Sequence, residues 1–115
     1  MPKNKTGAIR VGEFGSVAEF RRYQELQILE GLRAISDLSP HPSFNLVVND
    51  CLIGTYTADS QYIENGKTII EEVKGWKSRD YPLRKKLFKA LHPQFVHREI
   101  DASELWKKRR SSRRR

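Results

Sequence analysis

The chain has 115 residues, 37% hydrophobic and 31% charged, which gives room for one domain with one modest core and not for two. No apolar run approaches the roughly 18 residues that a membrane span needs, and the polar, basic start from Met1 to Arg10 lacks the apolar segment of a secretory signal. The single cysteine, Cys51, excludes an intramolecular disulfide, which suits a reducing cytoplasm.

The net charge of +8 is uneven. Lys107, Lys108, Arg109, Arg110, Arg113, Arg114 and Arg115 put seven of the 22 basic residues in the tail with no acid, so the remaining 15 face 14 acids. Such a tail attracts polyanions and releases their counterions, or simply keeps the chain in solution.

In chain order, residues 1–7 read as a loose basic arm, 8–106 as one domain and 107–115 as the solvated tail. Residues 8–11 form a short strand candidate. Ser16-Val17-Ala18-Glu19 is a capping box, and a helix is expected over 17–30 with Gly31 as its stop. The apolar residues Val17, Phe20, Tyr23, Leu26, Ile28 and Leu29 do not form one stripe, so contacts on more than one side are expected. Strands follow at 35–38, 44–48 and 52–56, with Pro40-His41-Pro42 breaking the pattern and a tight turn at Asn49-Asp50-Cys51. An extended stretch over 59–63, the hairpin signal Asn65-Gly66 and a β-branched strand over 68–73 come next. Gly75 ends that strand. A helix at 81–91 with Asp80 as its N-cap, a strand at 94–100 and a helix start at Asp101-Ala102-Ser103-Glu104 complete the reading. The fold class is α/β, with one mixed sheet flanked by helices.

The turn at Asn65-Gly66 has chemical consequences. A two-residue type I′ turn pairs Glu64 with Lys67, and counting outward places Asp59 directly opposite Glu72. Opposed residues share a face with Cβ atoms about 4.5–5.5 Å apart. Two facing carboxylates repel unless a cation lies between them, and a hard divalent ion with oxygen ligands fits that position. Lys74, two residues past Glu72 and opposite Thr57, shares the face and can neutralise a phosphate or orient a water. A one-residue slip would instead send Asp59 and Glu72 to opposite faces, and each residue alone reads as a solvated surface group.

Asp59 followed by Glu72-Val73-Lys74 resembles the Asp…Glu-x-Lys core of the PD-(D/E)XK nucleases. The surrounding stretches Ser16-Val17-Ala18-Glu19-Phe20-Arg21-Arg22-Tyr23-Gln24-Glu25-Leu26, Tyr56-Thr57-Ala58-Asp59 and Glu71-Glu72-Val73-Lys74-Gly75, with the basic helix Leu83-Arg84-Lys85-Lys86-Leu87-Phe88, resemble a small phage and prophage nuclease family related to Holliday-junction resolvases. The resemblance covers about 11–100. Where that family usually has an aromatic after the aspartate, this chain has Ser60. The resemblance implies a restriction-endonuclease-like fold and an endonuclease acting in the cytoplasm, that of the bacterial host cell if the chain is phage or prophage encoded. It implies Mg²⁺ as cofactor, with Mn²⁺ as a substitute, and DNA as partner, branched DNA such as a Holliday junction being preferred. Cutting a symmetric junction twice favours a two-fold homodimer. Asp59, Glu72 and Lys74 would be catalytic. Glu19 would be a further metal ligand or only the helix cap, and the Val73 carbonyl would also meet the metal.

Lys77, Arg79, Arg84, Lys85 and Lys86, with Lys107 to Arg110, are the expected phosphate contacts. His41, His92 and His97 lack metal-ligand spacing and are expected to be structural or surface residues. Cys51 reads as a small apolar residue. Trp76 and Trp106 could stack on bases, with packing favoured for Trp76. No dinucleotide, phosphate-loop or zinc motif is present. The rivals are a non-catalytic nucleic-acid-binding module and a phage structural protein with a basic tail; metal dependence separates both from a nuclease.

Overall fold

The computed structural model describes residues 17–75 and 79–101. Helix α1 (Val17–Gly31) is followed by β1 (Ser36–Pro40), β2 (Ser43–Val48), β3 (Cys51–Thr57), β4 (Ser60–Glu64), β5 (Lys67–Lys74), α2 (Tyr81–Leu91) and β6 (Val96–Asp101). The expected strand at 8–11, the Ser16 cap and the helix start after Asp101 lie outside the described residues.

Strands β1, β4, β5 and β6 form a four-stranded sheet in the order β1-β4-β5-β6. The first two pairings are antiparallel and β5-β6 is parallel. Parallel neighbours need a crossover, and α2 supplies it. Strands β2 and β3 make a separate two-stranded sheet, so the expectation of a single sheet is corrected. Both hairpin turns have the backbone that two-residue type I′ loops require. Asn49 and Asp50 have φ of 49° and 64°, and Asn65 and Gly66 have φ of 52° and 77°. Glu64 pairs with Lys67 as expected.

The end of α1 differs from expectation. Gly31 is still helical, and Arg33 takes the left-handed conformation with φ of 65°. Its N–H donates to the Glu30 carbonyl at 3.0 Å and that of Ala34 donates to Leu29 at 2.9 Å, the pair of bonds that closes a Schellman motif. At α2, Asp80 precedes the first turn but its side chain makes no capping hydrogen bond. It forms a 3.5 Å ion pair with Arg84 instead.

β5 lies between two strands and two apolar clusters, and Ile69 to Val73 are all buried, as expected of a strand covered on both faces. Leu26, Ile35, Tyr62 and Ile69 form the cluster under α1. Leu46, Tyr56, Ala58, Ile70 and Phe88 form the other, under α2 and the β2-β3 hairpin. Adjacent Ile69 and Ile70 thus serve opposite faces, as strand alternation dictates. In α1 only Tyr23 and Leu26 are buried, while Val17 and Ile28 are 47% and 63% exposed. Among the described residues the helix is therefore packed from one side, not several.

Leu26→Ala should cost roughly 2–5 kcal/mol, because it empties a fully buried site, while Ile28→Ala should change stability by less than about 0.5 kcal/mol. Denaturant titration of both variants checks the one-sided packing; equal losses would contradict it.

Candidate functional site

Two consecutive carboxylates on the central strand organise this region. Glu71 is 0% and Glu72 3% exposed, and alternation sends them to opposite faces. Glu71 points to the α1 side. The Arg22 guanidinium grips it bidentately, Nε donating to Oε2 at 2.8 Å and Nη2 to Oε1 at 3.1 Å, and the Tyr62 hydroxyl donates to Oε1. Burial alone would lower the Arg22 pKa, but Glu71 more than reverses this and raises it. Burial and the bond to Glu71 push Tyr62 up to about 12. Arg98 donates to the Tyr62 hydroxyl at 2.9 Å and pairs with Glu64 at 2.9 Å. Glu71 is thus a charge matched in place.

Glu72 points to the α2 side. The Tyr56 hydroxyl donates to its Oε2 at 2.8 Å and lies 2.7 Å from His97 Nε2. Parallel register sets Ile70 beside His97 and Glu72 beside Glu99. Glu99 Oε2 accepts from the Tyr81 hydroxyl at 2.6 Å and from Lys85 Nζ at 2.8 Å. Burial, then the charge of Glu72, raises the Tyr56 pKa, and Asp59 adds to the effect. Burial and the bond to Glu99 raise Tyr81. Burial pushes His97 down to about 4, and the bonds from Lys85 and Tyr81 hold Glu99 down to about 2.

Asp59 reaches this face by a route the sequence did not disclose. The β4-β5 ladder ends at Ser60 opposite Glu71, so Asp59 is not paired with Glu72 as expected. The reason is a change of sheet. Thr57 pairs with Ser43 in the hairpin, not with a residue facing Lys74. Ala58 N–H then donates to the Pro42 carbonyl, and Asp59 N–H donates to the Glu71 carbonyl, both at 3.0 Å. The side chain completes the crossing: Asp59 Oδ2 accepts from Val73 N–H at 2.6 Å. Asp59 is therefore anchored to β5 one residue beyond Glu72. Its charge and that of Glu72 both act on Tyr56. Ser60, where the resembled family has an aromatic, is 2% exposed and paired between Pro40 and Glu71, where small size suits the packing.

Lys74 is exposed at the end of β5, beside Asp101 in register, and alternation places it on the Glu72 face. Glu19 is half-buried in the first turn of α1. Among the described residues no group of three or more His, Cys, Asp and Glu side chains could hold a metal, so Glu19 is not gathered with Asp59 and Glu72 into one. Of the expected phosphate contacts, Arg79, Arg84 and Lys86 are exposed and Lys85 is engaged by Glu99. Lys77, Trp76, Trp106 and Lys107 to Arg115 lie outside the described residues. His92 packs among Phe44, Phe88 and Phe95, His41 is half-buried, and Cys51 is exposed at the start of β3. His97 belongs to the site, which its spacing in the sequence did not signal.

The fold is thus a mixed α/β sheet with helices against it, and its central strand brings an acidic and basic cluster to the α2 side. The chain belongs to the DUF1064 family, described as proteins of unknown function, whose model matches residues 3–108. No curated protein and no solved structure matches the chain. Among the described residues no helix is long and apolar enough to cross a membrane.

The two shifted groups predict a pH dependence. With its folded-state pKa pushed down to about 4 from 6.5, His97 stays neutral where the unfolded chain already binds a proton, so stability falls as pH falls between those values. Glu99, held down to about 2 from 4.5, acts in the same direction over its lower window. Thermal melting should show Tm declining below about pH 6.5, with the upper part of the decline lost in His97→Gln. A parent Tm unchanged from pH 7 to 4.5 would contradict this.

Proposed function

We propose that the chain is a metal-dependent endonuclease that hydrolyses DNA phosphodiesters, with Asp59, Glu72 and Lys74 as its reaction centre. One observation carries the reading: the link between β3 and β4 and the strand β5 bring the carboxylates of Asp59 and Glu72 to the surroundings of a single buried hydroxyl, Tyr56, with Lys74 two residues further along the β5 face. Leaving aside the inserted β2-β3 hairpin, the main sheet follows a helix, three antiparallel strands, a crossover helix and a parallel fourth strand, which supports the restriction-endonuclease-like architecture implied by the resemblance.

The donor set fits a hard divalent cation. Each ionised carboxylate offers two oxygens and about four lone-pair sites, and the bonds from Tyr56 and Val73 N–H fall on one oxygen of each. Mg²⁺ commonly uses one or two carboxylates, with waters and substrate phosphate filling its shell. Asp59 and Glu72 would hold it, with the Val73 carbonyl as a further candidate. When bound, it would stabilise developing charge on phosphate and lower the pKa of a coordinated water. Lys74, exposed beside the pair, would neutralise a phosphate oxygen or orient the attacking water. Exposed Arg79, Arg84 and Lys86 would hold the DNA backbone near it. Branched DNA, cut by a two-fold pair of chains, is the substrate we propose.

The test is incubation of purified protein with labelled linear, nicked and four-way DNA, with Mg²⁺ or EDTA. Cleavage should require the metal. Lys74→Ala should abolish single-turnover cleavage while retaining most DNA affinity, because one lysine among many adds little to binding. Cleavage at parental rate in that variant would reject the role.

Deleting residues 107–115 should weaken DNA binding most at low salt and leave cleavage at saturating DNA near parental. Each lost phosphate contact should reduce the slope of log K against log salt by about 0.9 on duplex DNA. An unchanged slope would remove the tail from the DNA contact.

A further inference from the structure

The metal reading leaves two groups without a task, buried Tyr56 and half-buried His97, and the inference drawn from them rests on that reading. Tyr56 is 2% exposed, so water has little access to stand in for its hydroxyl. Its ring is fixed by Phe88 at 4.9 Å and Tyr81 at 6.4 Å between centroids. His97 is fixed by the same cluster, 5.9 Å from Tyr56 and 6.1 Å from Phe88.

The hydroxyl has one proton; besides neighbouring Tyr81, it meets Glu72 Oε2 at 2.8 Å, to which it donates, and His97 Nε2 at 2.7 Å. An ionised carboxylate can only accept. The Tyr56 proton therefore goes to Glu72, and the Tyr56 oxygen accepts from His97, which must carry its proton on Nε2. The direction of the chain is then fixed as His97 to Tyr56 to Glu72. A hydroxyl whose lone pair is engaged by a donor is a better donor itself, since bonds in such a chain polarise one another.

We propose that Tyr56 and His97 are positioning residues for Glu72, a hydroxyl–imidazole pair that fixes the carboxylate's orientation for a divalent cation. Groups that hold a metal-binding side chain from behind commonly contribute 10–100-fold to affinity or activity. The pair comes from β3 and β6, so the hairpin and the last strand both act on a carboxylate of β5. This gives the β2-β3 hairpin a part in the site without any contact to substrate.

The experiment compares the full chain with Tyr56→Phe, His97→Leu and His97→Gln, measuring Mn²⁺ binding without DNA, Tm, and the ¹⁵N shifts of the His97 ring in metal-free protein. Tyr56→Phe keeps the ring packing and removes the hydroxyl. It should bind Mn²⁺ about 10-fold more weakly or worse. His97→Leu should weaken binding as well, and His97→Gln should recover part of the loss because its amide can donate to Tyr56. The parent ring should carry its proton on Nε2. Parental Mn²⁺ affinity in Tyr56→Phe would overturn the inference and leave the metal site standing. A parent ring protonated on Nδ1 would overturn it even if no variant folded. A parent that binds no Mn²⁺ would overturn the metal site and the inference together.

Discussion

Everything in this fold depends on keeping two adjacent carboxylates inside one strand. Burying an ionised carboxylate costs several kcal/mol even after the protein relaxes, and β5 buries two in succession, one on each face. Tyrosine hydroxyls answer both, Tyr62 for Glu71 and Tyr56 for Glu72. On the α1 face the compensation is complete in charge as well, because Arg22 spans the gap to Glu71 with two parallel bonds, the strongest geometry a guanidinium and carboxylate can make. That ion pair ties α1 to the middle of the sheet, while Tyr62 ties β4 and, through Arg98, β6 to the same point.

The α2 face is organised differently. Its charges are arranged side by side: Glu72 next to Glu99 across the parallel register, Asp59 anchored at Val73, Lys85 on Glu99 and Lys74 at the open end of the strand. The partners of Glu71 neutralise it where it stands. Glu72 accepts from the Tyr56 hydroxyl, which in turn lies against His97. Under the proposed function, a residue held for structure and one held for chemistry would occupy neighbouring positions, the physical difference lying in the groups brought to each by the other elements.

The local features were legible in the sequence. Asn65-Gly66 set the β4-β5 register because only a short left-handed turn fits there, and from that register Glu72 and Lys74 were correctly placed on one face. Features that depend on distant parts of the chain were not. Asp59 fails to continue the ladder because β3 belongs to another sheet, and no local pattern announces that change. The bidentate partner of Glu71, Arg22, arrives from α1, 49 residues away in the chain. His97 reaches the site only through the parallel register of β5 and β6, which a helical crossover sets, so its spacing from other candidates carried no signal. Arg33 took the left-handed position at the end of α1 where glycine two residues earlier seemed the natural stop, because the capping bonds come from Arg33 and Ala34.

The central claim is that Asp59 and Glu72 share one cation. Anomalous diffraction from a crystal of the full chain soaked in Mn²⁺ tests it most directly. The account predicts a peak on the α2 side of β5, within about 2.2 Å of one oxygen of each carboxylate, as hard-cation coordination requires. No peak there at saturating Mn²⁺, or a peak bound by only one of the two side chains, would contradict it.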